Sequence, residues 1–437
     1  MQTDIERATM RKLTLRIGLF CGLLYFFNWL DRNNVGFAAL QMNKELSFGP
    51  AVYGLGAGMF FAGFAIFEVP SNMAMHKLGA RVWIARIMIT WGLICSACAA
   101  IQNVHAFYGL RFILGVAEAG FTPGLLLYFG YWFPRKYRAR AFGLLFATPL
   151  LAPIVGGPIS GWLMTATNGL GGLSGWRWMF LVEGLPTVIL GVFCLRYLKA
   201  SPREAGWLTQ AEKDWLVGTL EADEAAAPAR QHASVSAFLA DRRLWALVTV
   251  YFFWSLSSYG IVFWLPQIIS AATGLNPFQV SLINAVPFIF AMVGLILIGR
   301  RSDRTGSRKT PIIVFAIGSG VALIAAGSVA SPTLGFGLIC IAAFCIWGQQ
   351  AVFWTLPSTY LTGASAAAGL ALVNTGAAVG GFISPPAIGF LKQAGGSYST
   401  AMAGLGVTSL VVAVIVALMR IDRTAGSAAI PELAATS

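Results

Sequence analysis

Long apolar runs, each near or above the length needed to cross a bilayer, leave this chain little freedom in what it can fold into. A helix needs about 20 mostly apolar residues to cross a hydrocarbon core roughly 30 Å thick. Such runs fall at about 15–40, 52–75, 83–101, 105–133, 139–164 and 177–198, and again at about 244–270, 279–299, 311–330, 333–357, 364–391 and 398–419. Twelve spans with their connections use about 36 residues each and so consume all 437. Only 11% of the residues are charged, against roughly 25% in soluble domains, which excludes an ordinary soluble protein. The expected fold is an all-α integral membrane protein of two pseudo-symmetric six-helix bundles, residues 1–198 and 244–437 with a C-terminal tail, joined by a linker over 199–243.

Charge placement orients the chain. The linker returns abruptly to soluble composition in KASPREAGWLTQAEKDWLVGTLEADEAAAPAR, where an amphipathic helix is expected from Thr209 to Leu220, closed by Pro228. An even number of spans per half puts both termini and the linker on one side. That side collects Arg7, Arg11 and Lys12, the basic loops at 77–81, 135–140, 242–243 and 300–309, and Arg420 and Arg423; the other side has Lys44, Arg177 and Lys392. Cytoplasmic loops carry the excess of Lys and Arg, so termini and linker are expected in the cytoplasm and the chain in the inner membrane. The same asymmetry accounts for the net charge of +13 without nucleic acid, whose binders cluster basic residues on solvated faces. The opening MQTDIERATMRK has no cleavage-site pattern, so the first span is expected to stay in the mature chain.

Cofactor chemistry has no evident home. Cys21, Cys95, Cys98, Cys194, Cys340 and Cys345 all lie in apolar runs, where thiols act as small apolar fillers. Cys95 and Cys98 form a C-x-x-C with no second pair or neighbouring histidine to complete a metal set. His76, His105 and His232 fall at loop edges or in the linker. No cofactor or metal is expected beyond protons as a coupling ion.

The loop after span 8, GRRSDRTGSRK, has a twin after span 2, NMAMHKLGAR. Lys77, Gly79 and Arg81 match Arg304, Gly306 and Arg308 at a constant offset of 227, with His76 in place of Asp303, so the halves are repeats. Pro158 and Gly161 in span 5 parallel Pro386 and Gly389 in span 11; glycine allows close helix approach. Span count, duplication, central linker and the G-x-x-x-D-R-x-G-x-R-K turn together resemble the major facilitator superfamily over nearly the whole chain. Within it, NWLDRNNVGFAAL, FEVPSNMAMHKLGAR, RFILGVAEAGFTPG and WRWMFLVEGLP resemble the anion:cation symporter family, and more narrowly its bacterial tartrate, sugar-acid and aromatic-acid carriers. The resemblance implies proton-coupled uptake of a small organic anion by alternating access, with the site between the two halves.

Four charges interrupt the spans: Asp31 and Arg32 in span 1, Arg111 and Glu118 in span 4. Each costs about 2.5–3.5 kcal/mol at a bilayer centre on insertion scales. Seven residues make two helical turns, so Arg111 and Glu118 share a face about 10.5 Å apart. An arginine fork matches a carboxylate with two charge-assisted bonds, so Arg32 and Arg111 are the expected substrate cations. A buried carboxyl favours its protonated form, so Asp31 and Glu118 are the expected proton carriers. The resemblance to galactonate-type carriers implies the same division of roles. It also places Trp29, Trp354 and Asn374 at the cavity. Phe64 stands where many relatives have tyrosine, and Tyr251 where galactonate-type carriers have glutamine, which favours a less hydroxylated acid. Glu68 and Glu183 are expected near the cytoplasmic ends, bonding the basic loops, and with Lys77, Arg81, Asp303, Arg304 and Arg308 are assigned to gating, Asp303 pairing with Arg308 as a latch. A proton-driven efflux antiporter and a membrane solute sensor are the alternatives; an enzyme lacks a nucleophile with its base. A monomer is expected.

Overall fold

The computed structural model describes residues 2–226, 241–357 and 364–419. Pro228, His232, Arg420 and Arg423 lie outside the described residues. Among those described, twelve helices are long and apolar enough to cross a bilayer. They are α1 (Asp4–Glu45), α2 (Pro50–Leu78), α3 (Ala80–Ala100), α4 (Val104–Trp132), α5 (Arg135–Ala166), α6 (Gly175–Tyr197), α7 (Arg242–Thr273), α8 (Pro277–Thr305), α9 (Lys309–Ser328), α10 (Pro332–Phe353), α11 (Gly369–Gln393) and α12 (Tyr398–Leu418). Several run past the apolar stretch that announces them. A helix that has begun gains one backbone bond per added residue, so α1 extends into its polar flanks.

Consecutive helices alternate in direction, which gives the bundle a terminal end and a far end. At the terminal end, the amphipathic segment forms a helix over Gln210–Ala225, longer than its apolar periodicity because EADEA continues it with good helix formers. Thr209 caps it in a reciprocal capping box with Glu212. Lys12 Nζ meets Glu212 Oε2 at 2.7 Å. Burial pushes that carboxyl up, but the Lys12 ammonium and the Thr209 N–H outweigh it and hold it below its usual range. Trp207, just before the helix, stacks on Trp132 of α4 at 5.8 Å, with the Arg16 guanidinium 5.4 Å from its ring centre. The linker is thereby pinned to the first half through Trp207 and the helix at Gln210–Ala225.

The repeated loops do a repeated job. Gly79 and Gly306 both take positive φ, 85° and 66°, a conformation that favours glycine. Arg81 donates to the Leu195 carbonyl in the last turn of α6. Lys309 donates to the Ala417 and Met419 carbonyls at the end of α12, each at 2.7 Å. A basic side chain satisfies unpaired carbonyls at a helix C-terminus, and each half uses its loop to cap its own last helix.

The two halves meet through small residues. On α2, a Cβ on Gly54 would strike the Pro385 carbonyl of α11, and one on Gly58 would strike Phe382 and Pro386. Reciprocally, Gly389 of α11 lies against Pro50, and Gly161 of α5 against Pro277 and Ser281 of α8. Of the proline-glycine pairs read from sequence, Gly161, Pro386 and Gly389 thus belong to the inter-half seam. Tyr53 donates to the Phe263 carbonyl at 2.8 Å and Asn43 to Gln267 at 3.3 Å, so the far end is shut. Overpacking a tight contact costs about 1–3 kcal/mol, so Gly54→Leu is expected to depopulate the far-end-closed state by about 5- to 150-fold. The check is loss of transport in a variant that keeps a monodisperse elution profile and native helix content.

Candidate functional site

Asp31 and Arg32 are neighbours in sequence and therefore about 100° apart around α1. Asp31 points into the interior of the first half, where its Oδ2 accepts from Trp91 Nε1 of α3 at 2.7 Å and Thr187 Oγ1 of α6 at 2.9 Å. Arg32 points toward α4: its Nε donates to Glu118 Oε1 at 2.8 Å, and its Nη2 reaches the same oxygen. The four intramembrane charges therefore do not form one neutral cluster. Arg32 and Glu118 pair; Asp31 has a separate neutral shell.

Arg111 and Glu118 share a face of α4 and both are fully buried. The helix breaks directly afterwards. Gly120 is left-handed at φ 85°, and the Ala119 carbonyl accepts from Ser71 Oγ of α2 at 2.6 Å. Freed backbone groups in a membrane must be re-satisfied by a neighbour, and Ser71 does this. The Phe60 ring of α2 has the Arg32 guanidinium carbon 5.0 Å and the Arg111 carbon 5.1 Å from its centre. Trp29 at 4.8 Å and Phe64 at 5.3 Å complete an aromatic surround for Arg32, within cation–π range. Arg111 differs: its Nε, Nη1 and Nη2 are all buried and none has a hydrogen-bond partner among the described residues.

On the facing half, Tyr251 lies parallel between Trp254 and Phe353, 5.0 Å from each, with Trp354 edge-on at 4.9 Å. Its hydroxyl accepts from Gln350 at 3.3 Å. Trp354 is 37% exposed. Phe61 of α2 meets Tyr259 of α7 at 4.5 Å across the seam.

The gating assignments change. Glu183 is not near the terminal-end loops: α6 runs from the far end at Gly175 to the terminal end at Tyr197, which puts residue 183 on the far side of its midpoint. There it is buried, accepting from Ser160 Oγ at 2.6 Å and Asn34 Nδ2 at 3.1 Å. Glu68 also ignores the basic loops and accepts from Asn374 of α11 at 2.9 Å, a bond between the halves. Asp303 pairs with Arg308 Nη1 at 2.7 Å, but both belong to one turn, which this bond staples without linking the halves. Lys77 and Arg304 are exposed at their turns, and Arg81 caps α6 of its own half.

A family model described as the Major Facilitator Superfamily matches residues 21–361 and, overlapping, 265–435. The chain belongs to the major facilitator superfamily. It is a multi-pass membrane transporter and not an enzyme. A protein of Agrobacterium vitis provisionally named a tartrate transporter is 45% identical over 95% of this chain and 96% of its own length. The quinolone resistance transporter of Acinetobacter baumannii is 39% identical over 93% and 94%. The xylose transporter XylE of E. coli, in a partially occluded inward-open conformation, superposes with a TM-score of 0.73 at 12% identity over 92% of this chain and 97% of that one.

In this facilitator, sequence reasoning missed Phe60 between the guanidiniums, Trp91 and Thr187 around Asp31, and Asn34 and Ser160 around Glu183. Asn34 carried a usable signal, an amide inside an apolar run, since such groups face the bundle interior. Phe60 carried none, being one phenylalanine of 31. Removing one partner of a buried ion pair costs about 3–5 kcal/mol. Glu118→Ala is therefore expected to lower the thermal midpoint in detergent by several degrees more than Glu118→Gln, which keeps a hydrogen-bond acceptor for Arg32.

Proposed function

We propose that this facilitator imports a small organic anion together with protons, using Arg32 and Arg111 to hold the carboxylate. The observation that carries this reading is the Arg111 guanidinium, sealed from solvent with no acceptor for any of its nitrogens among the described residues. A buried unpaired charge is costly, and an arginine fork kept in that condition suits a planar anionic partner supplied from outside the protein. Two guanidiniums around one aromatic ring form a platform for such a group.

The Arg32–Glu118 bond supplies the coupling. A carboxylate binding to Arg32 competes with Glu118 for the same nitrogens. Once displaced, Glu118 is left in apolar surroundings, where a carboxyl favours its protonated form. Substrate and proton binding therefore reinforce one another, and linkage makes the effect reciprocal. Asp31, held by neutral donors, is the second proton carrier in this scheme. Glu68 and Asn374 act as a gate contact between the halves at the terminal end, and Trp29, Phe64, Tyr251 and Trp354 supply apolar walls. Basic loops at the terminal end support a cytoplasmic location for both termini of an inner-membrane protein, and a monomer is part of the same proposal. The Agrobacterium relative supports a tartrate-like substrate, while the stacked rings around Tyr251 support a flatter, less hydroxylated acid. A thermal-shift screen across tartrate, sugar acids, phthalate and hydroxyphenylacetates ranks them, because a ligand of the folded state raises its stability.

In proteoliposomes with a weakly buffered exterior, adding the transported anion outside is expected to alkalinise the medium. Acidification would instead favour export in exchange for protons, the reading to which the quinolone resistance relative lends weight. Glu118→Gln is expected to abolish proton-driven accumulation while retaining substrate exchange, and Asp31→Asn to abolish accumulation. Arg111→Ala is expected to remove the thermal shift given by substrate.

A further inference from the structure

At the far end a chamber of about 390 Å³ lies between the halves, within the size range of small-molecule sites. The first half contributes Lys44 and Glu45 from the end of α1, with Asn168 and Ser174 before α6; the second contributes Ser270 of α7 and Asn276 before α8. The carboxylate and asparagine oxygens in this lining are already engaged. Glu45 Oε1 takes Arg177 Nη2 at 3.0 Å, and its Oε2 takes Trp176 Nε1 at 2.7 Å and the Ser174 hydroxyl. Asn168 Oδ1 accepts from the Gly175 N–H at 3.0 Å, and Asn276 Oδ1 from the Gln279 N–H at 2.9 Å.

A backbone N–H only donates, so the atom facing it must be the amide oxygen, and the orientation of both asparagines is settled. Their NH2 groups make no hydrogen bond to a described residue. Of the far-end cations read from sequence, Arg177 is matched by Glu45 and Lys392 lies 4.5 Å over the Tyr398 ring. Lys44 is exposed and has no ion pair or hydrogen bond with a described residue. The chamber thus presents an ammonium and two amide NH2 groups, with its one carboxylate neutralised.

We propose that this chamber is a second binding site, for a small oxyanion, whose occupant bridges Lys44 and Asn168 of one half to Asn276 of the other and holds the far end shut. Separating the halves splits the donor set, so the ligand favours the closed state by its differential affinity for it. The effect on transport rests on the alternating-access reading above; the binding does not.

The first arm measures thermal stability of the purified protein in inorganic phosphate against chloride at equal ionic strength. Phosphate is expected to raise the wild-type midpoint by about 2 °C or more. Lys44→Gln, and Asn276→Asp, which keeps the helix-capping oxygen while replacing the NH2, are expected to lose that shift and keep the wild-type midpoint in chloride. A shift unchanged in both variants, or absent in wild type with tartrate as well as phosphate, overturns the proposal. The second arm replaces phosphate with tartrate: a component lost in Lys44→Gln makes the carboxylate itself the occupant, whereas loss confined to phosphate makes it an inorganic ion. In proteoliposomes, external phosphate is expected to slow wild-type uptake at saturating substrate by about twofold or more and to leave Lys44→Gln unaffected. If no uptake occurs but the phosphate shift behaves as stated, the transport reading fails and the site stands.

Discussion

The structure turns on where α1 can put its polar side chains. Asn28, Asp31, Arg32, Asn33 and Asn34 lie within two turns, and the helical angle spreads them around the whole circumference. Lipid satisfies none of them, so α1 must be enclosed by protein on every side; residues 30–40 are all buried. That single demand places α3, α4, α5 and α6 around it, with Trp91, Glu118, Thr187 and Glu183 as the answering groups and Ser160 of α5 holding Glu183 in turn. The second half closes the remaining face.

The architecture was legible from the sequence because bilayer thickness sets helix length and the loop repeat sets the symmetry. The candidate site was legible as residue types only. Asp31, Arg32, Arg111 and Glu118 stand out because charges are rare in spans, yet their pairing depends on rotations that apolar periodicity in an all-buried helix does not reveal. Asp31 and Arg32 look like partners in a string of letters and face different helices in space. Glu183 was expected near the terminal end, while residue order along α6 puts it toward the far end. Asn374 and Glu68 are 306 positions apart, and nothing local to either announces the other.

The basic loops show how a duplicated motif keeps a duty while its details drift. Arg81 and Lys309 sit at slightly different points of their turns, and each caps the last helix of its own half. Asp303 adds a staple in the second half that His76 does not reproduce in the first. The motif's bonds stay within a half, so its direct action is to keep each six-helix unit rigid. Rigid units are what a rocking mechanism needs, since motion is then concentrated at the seam.

That seam is built chiefly from glycine set against backbone oxygen and proline. Contacts of this kind carry no net charge and no titrating group, so acidity and salt have little purchase on them. The glycine contacts of the seam are in effect a mechanical bearing. Side chains between the halves, such as the rings around Tyr251, can therefore change while the glycine surfaces of the seam stay as they are, which leaves one scaffold free to change what it carries.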